Sequence, residues 1–416
     1  MFVLDKPRST HGGGLTPISP TIFQENPLLE FLNSERFFLF PGFCDVHVHF
    51  REPGFSYKET ISTGCAAAAR GGFTAVATMP NLDPVPDSAQ NLALAQKLID
   101  EDATIDVYPY GSISIGEKGK ELADLRQMAP GAVAFSDDGM GVQCADMMRK
   151  AMLIAKDLDK VIAAHCEDAK LKGDGYINAG AYAKAHGHVG IPTESEWKEL
   201  ARDIVLAKET GAALHACHVS CRESVDLVRQ AKAAGVDVTC ETAPHYLVFS
   251  DDMLQEDGRF KMNPPLRSAA DRTALIEALV DGTLDMIATD HAPHSAAEKA
   301  RGLADSAFGI VGLETSFPAI YTHFVRPGII SLERALELFV TAPRKRFNMP
   351  LGNDFSVWDL DYVAPVDPDE FATKGRATPF AGQELYGRCL LTVHAGKVVH
   401  MDTAAIEELR AQESCR

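Results

Sequence analysis

The chain has 416 residues, 46% hydrophobic and 24% charged, with 40 basic against 58 acidic side chains and a net charge of −18. These proportions belong to a globular protein and exclude a collagen, a coiled coil or a wholly disordered chain. An acidic balance of this size also argues against nucleic acid or an anionic membrane surface as the main partner, because both need a basic face.

No run of about 18 apolar residues spans a bilayer, and Met1 to Pro20 lacks the basic-then-apolar order of a signal peptide. A cytoplasmic protein is expected. Nine cysteines without a single CxxC pair argue against a disulfide framework or a four-cysteine zinc site, so reduced and mostly buried thiols are expected.

Along the chain one pattern recurs: an apolar run, a polar residue at its end, a loop, then an amphipathic segment. The runs cover residues 43–50, 73–81, 105–114, 132–139, 161–168, 213–220, 237–246 and 284–294. Between them, helical periodicity predicts helices over 56–70, ending at Gly71-Gly72, and over 87–102, starting on an Asp87 cap. Further helices are predicted over 194–209, 220–234 and 268–281, each followed closely by glycine. Strand and helix alternating eight times predict a parallel (β/α)8 barrel, a TIM barrel, over residues 41–347. A doubly wound open sheet is the alternative.

The flanks do not continue the pattern. Residues 1–40 read as loop-rich and polar, whereas 355–363 and 387–399 read as strands with a turn at Ala395-Gly396. A small β subdomain built from 1–40 and 348–416 is expected, with a solvated helical tail after Thr403.

In such a barrel the catalytic groups stand at the C-terminal ends of the strands. The first strand offers His47, His49 and Arg51 at period-two spacing, on one face. The fourth ends in Asp137-Asp138, the fifth in His165, the sixth in His218 and the eighth in Asp290. Four histidines and at least two carboxylates on one rim suit a divalent metal, zinc first, and are enough for two ions sharing a carboxylate. His215, three residues before His218, is expected on the opposite face, packed against helix. Glu241, His245 and His291 lie near the rim without an assigned partner and read as structural.

These residues carry a resemblance to the dihydroorotases of the amidohydrolase superfamily, from about Phe40 to the C-terminus. Its motifs are 41-PGFCDVHVHFREPG-54, 78-TMPN-81, 135-FSDDG-139, 165-HCED-168, 217-CHVS-220, 261-KMNPPLR-267, 288-ATDHAPH-294 and 308-FGIVGLET-315. Hydantoinases and allantoinases usually bridge their metals with a carboxylated lysine after strand four. The nearest lysines here, Lys120 and Lys150, lie outside that strand, so the resemblance is to the branch that uses aspartate. Spacing in that branch favours Asp138, 27 residues before His165. Relatives usually begin with a pair of strands, which residues 1–40 do not show.

The resemblance implies reversible cyclisation of N-carbamoyl-L-aspartate to L-dihydroorotate plus water in pyrimidine synthesis, on one or two Zn²⁺ ions held by His47, His49, Asp138, His165, His218 and Asp290. Such an ion lowers the pKa of bound water to about 7. Asp290 also carries the proton, and Arg51 grips the substrate carboxylate by a two-pronged hydrogen bond. Asn81 and His294 help hold that carboxylate; Asn263, Phe308 and Gly309 address the ring. The implied partners are a small-molecule substrate and a second copy in a homodimer, with a complex with aspartate transcarbamoylase left open. Another cyclic amide hydrolase, of hydantoinase or allantoinase type, and a catalytically silent assembly homologue are the alternatives. The polar stretch 295–309 reads as a candidate lid.

Overall fold

Short β-branched and alanine-rich runs buried on both faces make the strands of a parallel sheet. The computed structural model describes residues 31–32 and 37–414; the readings of Met1 to Pro20, and of residues 1–40 apart from those just named, lie outside the described residues. In chain order the strands are β1 (Phe38–Pro41), β2 (Phe43–Val48), β3 (Phe73–Thr78), β4 (Asp106–Pro109), β5 (Gly111–Ser112), β6 (Phe135–Ser136), β7 (Ile162–Ala164), β8 (Ile177–Asn178), β9 (Gly190–Ile191), β10 (Leu214–Ala216), β11 (Val238–Thr242), β12 (Met286–Ile287), β13 (Phe355–Pro365), β14 (Glu384–His394) and β15 (Lys397–Met401).

Parallel pairing runs β2-β3-β4 and, after the chain passes Tyr110, β5-β6-β7-β10-β11-β12. The ring closes where Val48 bridges His291 and the His49 amide donates to the His291 carbonyl at 2.8 Å. This closure, with β4 and β5 sharing one position, gives the eight staves of a TIM barrel and removes the open-sheet alternative.

The helices lie within a few residues of the expected ones: Ile61–Arg70, Ala89–Asp102, Glu194–Thr210, Arg222–Ala233 and Ala269–Asp281. Their starts follow local chemistry. Ser268 and Asp271 form a reciprocal capping box. Ser88, not Asp87, caps the second helix by accepting from the Asn91 amide; Asp87 instead accepts from the Asn91 side chain and the Gly116 amide.

The flanking sheet is ordered β1-β13-β14-β15, all antiparallel, with β14 and β15 joined at Ala395-Gly396, both in left-handed conformation. It meets the barrel through aromatic packing: Phe317 lies 5.1 Å from Phe43 and 4.6 Å from Trp358 between ring centres. Gly72 (φ 81°) allows this approach, since a Cβ there would stand 2.7 Å from the Trp358 ring. The Thr403–Ser414 helix is not wholly solvated as expected. Ala405 and Ile406 are buried against Leu390, Leu391 and Val393.

Among the described residues the eight cysteines are free, and seven are buried while Cys144 is exposed. Also among them, no helix is long and apolar enough to cross a membrane.

Candidate metal centre

Every barrel strand delivers its last residues to one rim, and that rim gathers the predicted cluster. Asp138 stands at its centre. Its Oδ1 is 3.3 Å from His47 Nε2, 3.5 Å from His165 Nδ1 and 3.5 Å from His218 Nε2, and its Oδ2 is 3.5 Å from His49 Nε2. Asp290 Oδ1 completes the group, 3.2 Å from His49 Nε2 and 3.6 Å from His47 Nε2. All six side chains are buried.

Asp137 is turned elsewhere. It accepts from the Ile113 and Ser114 amides and the Ser114 hydroxyl. Lys120 and Lys150 are exposed to solvent.

Three of the residues that form this rim carry unusual backbone. Arg51 (φ 60°), His218 (φ 33°) and Asp290 (φ 48°) are left-handed without being glycine, a strained conformation that clusters at functional sites. The turn at His218 also bears on one expectation. β10 ends at Ala216, so strand parity does not carry from His215 to His218. His215 packs against helix as expected, its ring 5.2 Å from that of Phe347 at the end of helix Ala342–Phe347, but it also reaches β11, where its Nε2 donates to Glu241 Oε2 at 2.9 Å and its Nδ1 lies 2.8 Å from the Thr239 hydroxyl.

Glu241, which the sequence left as structural, accepts from His47 Nδ1 at 2.8 Å through its other oxygen. Burial alone would raise its pKa, but the hydrogen bonds from His215 and His47 hold it well below the usual carboxylate range. His245 is buried beside the site, and burial pushes its pKa down to about 4. His291 is fixed by the Gly312 amide at Nδ1 and by Glu59 at Nε2.

The protonation pattern tests whether a cation fits. A carboxylate only accepts, so His47 carries its hydrogen on Nδ1 toward Glu241, and His49 donates from Nδ1 to Asn81 Oδ1 at 2.8 Å. With Nδ1 so engaged, both rings aim Nε2 at the Asp138 and Asp290 carboxylates. His47 Nε2 and Asp138 Oδ1 are buried without a hydrogen-bond partner. At 3.2–3.6 Å from these oxygens each Nε2 calls for positive charge on it or beside it: against the lowering effect of burial, the Asp138 charge pushes the His47 pKa up, and a divalent ion would meet the same demand. Donor atoms of His47, His49 and Asp290, and of His47, Asp138 and His218, all fall within 4.8 Å of one another.

Next to this cluster opens a cavity of about 160 Å³, walled by Arg51, Asn81, Asn263, His294, Phe308 and Gly309. Arg51 is buried and anchored by its Nε to the Pro293 carbonyl at 3.3 Å. Burial lowers its pKa to about 10, leaving it charged at neutral pH. His294 is held below its usual range, at about 3, by burial and then by Arg51 and Lys58. Its neutral ring donates from Nε2 to the Phe308 carbonyl at 2.7 Å and accepts from Lys58 at Nδ1.

The stretch 295–309, expected as a lid, is fastened by buried Lys299. Its ammonium donates to the carbonyls of Lys261 (3.0 Å), Ala307 (2.7 Å) and Gly309 (2.7 Å).

With this geometry established, likeness to known proteins becomes informative. Residues 37–224 match the Dihydro-orotase-like family. The chain is 50% identical to a dihydroorotase from Shouchella clausii (strain KSM-K16), over 86% of each chain. It is 46% identical to one from Staphylococcus aureus (strain MRSA252), over 93% of each. The chain belongs to the dihydroorotase family.

Solved structures agree on the fold. The L-hydantoinase (dihydropyrimidinase) from Arthrobacter aurescens superimposes with a TM-score of 0.77 at 27% identity, over 88% of this chain and 86% of that one. The chain thus shares its fold with this hydantoinase, and its own rim carries aspartate at position 138.

Proposed function

We propose that the protein interconverts N-carbamoyl-L-aspartate and L-dihydroorotate, using zinc at the His47, His49, Asp138, His165, His218 and Asp290 cluster. The observation that carries this reading is the buried, charged Arg51 facing the same cavity as the cluster, in a chain half identical to proteins named dihydroorotase. A guanidinium fixed at its Nε, with Nη2 3.4 Å from His294 Nε2, offers a substrate carboxylate a planar two-pronged match that lysine does not.

A bound divalent ion supplies Lewis acidity that polarises the scissile carbonyl and acidifies water. Asp290, beside His49 and on the cavity wall, takes a proton from the attacking water and returns it to the ring nitrogen as the C–N bond breaks. In the synthetic direction the same carboxylate takes the proton of the attacking ureido nitrogen. Asn81 spends its oxygen on His49 and keeps its amide N–H groups for the substrate carboxylate. His294 fixes the Phe308 backbone that closes the same wall.

These residues also account for binding a dianion on a protein of charge −18, because the attraction is local to Arg51 and the ions. A cytoplasmic location accords with this role.

The test is turnover by metal-replete protein. Ring opening of L-dihydroorotate is expected. Hydrolysis of hydantoin or allantoin without it would replace this reading by that of another cyclic amidase, and no turnover with no bound metal by elemental analysis would point to a silent homologue.

A further inference from the structure

An asparagine side chain is nearly symmetric in shape but opposite in hydrogen bonding at its two ends, so something must fix which end a ligand meets. At Asn263 that something is Glu167. Its two carboxylate oxygens are divided between neighbours: Oε1 accepts from Lys172 Nζ at 2.7 Å and Oε2 accepts from Asn263 Nδ2 at 2.8 Å. Turning the Asn263 amide over would set oxygen against carboxylate oxygen. Asn263 Oδ1 is therefore held away from Glu167, and it is buried with no hydrogen-bond partner on a residue that lines the cavity.

We propose that Glu167 is a positioning residue that locks the Asn263 amide with its oxygen presented to the cavity, making this point of the site selective for an N–H donor of a cyclic imide or a ureide. The inference rests on the function proposed above and deepens it. An unpaired buried acceptor is costly until a donor reaches it, so a ligand offering N–H there is favoured over one offering a carbonyl, ether or ester oxygen. Lys172 serves the same end. It balances the Glu167 charge beside an anionic substrate, and its ammonium lies 5.1 Å from the centre of the Phe308 ring, on the same wall. His165 Nε2 lies 4.0 Å from Glu167 and 3.4 Å from Asn263 Nδ2, so the same carboxylate also faces the back of that ligand, and metal content is the readout that separates an effect on Asn263 from one on His165.

The test is a double-mutant cycle in zinc-loaded protein with L-dihydroorotate as the probe. In Glu167→Gln the new amide keeps its oxygen toward Lys172 and turns its NH₂ to Asn263, which flips and offers the cavity a donor. KM is expected to rise at least tenfold, with kcat within threefold of wild type and metal content unchanged. Asn263→Asp alone opposes two carboxylates and is expected to raise KM as well. The double variant E167Q/N263D restores an acceptor on the cavity side at unchanged net charge, and its KM is expected to return to within threefold of wild type.

A KM within twofold of wild type in Glu167→Gln, additive losses in the double variant, or loss of metal as the main effect would overturn the inference. Absence of turnover in the wild-type protein would instead overturn the proposed function, and the inference with it.

Discussion

Glu241 accepts the Nδ1 hydrogen of His47 at 2.8 Å, and that one contact fixes which nitrogen of His47 faces the metal site. The same carboxylate is anchored from behind by His215, so a three-residue relay of buried groups holds the first ligand in place. Partners of this kind set the tautomer and basicity of a metal-bound imidazole.

Glu241→Ala is accordingly expected to weaken zinc affinity about 10–100-fold, measured by competition with a chromophoric chelator. Unchanged affinity would mean that the relay only fills space.

For Asp290, the proton-carrying role and the ligand role separate experimentally. Asp290→Asn keeps an oxygen near His49 but removes the basic site. A fall in kcat of roughly 10²–10⁴ is expected, while elemental analysis still finds metal on the remaining ligands. Full activity in this variant would remove the shuttle from the mechanism.

Arg51→Lys retains the charge and loses the fork. Charge-assisted hydrogen bonds to a carboxylate are worth about 1.5–3 kcal/mol, so kcat/KM for L-dihydroorotate should drop about 10–100-fold, mostly through KM. A change under twofold would show that Arg51 does not hold the substrate.

Far from the rim, His400 on β15 offers a test of acid stability. Burial lowers its pKa from 6.5 to about 4. Between those values the unfolded chain binds a proton that the folded chain does not, so stability falls as pH drops from 6.5 toward 4. His400→Phe removes that proton uptake. Relative to wild type, the variant should gain up to about 3 kcal/mol on going from pH 8 to pH 4, read from denaturant unfolding at each pH. A stability difference independent of pH would rule the linkage out.

Much of this architecture was legible from the residues because each βα step repeats one local pattern. The apolar runs, their polar ends and the glycine stops are all short-range. The resemblance singled out Asp138 over Asp137, and the folded chain shows the physical difference: Asp137 is consumed by Ser114 and the Ile113 amide.

What stayed hidden depends on the chain leaving regular geometry or on distant backbone. His215 meets the helix residue Phe347 as expected, but its bond to Glu241 was not legible because parity stops at Ala216. Glu241 gained its partners from two other strands, β2 and β10. Lys299 fastens 295–309 through carbonyl oxygens that no side-chain pattern reveals.

The barrel's seam has a topological consequence. The first and last staves join through Val48 and His291, within two residues of His47, His49 and Asp290. Nothing between these neighbours is local in sequence, so the entropy of closing a loop of some 240 residues is settled at the spot where the chemistry resides. Completing the ring and completing the ligand set therefore draw on the same contacts, and a barrel open at this seam would hold the two halves of its ligand set apart.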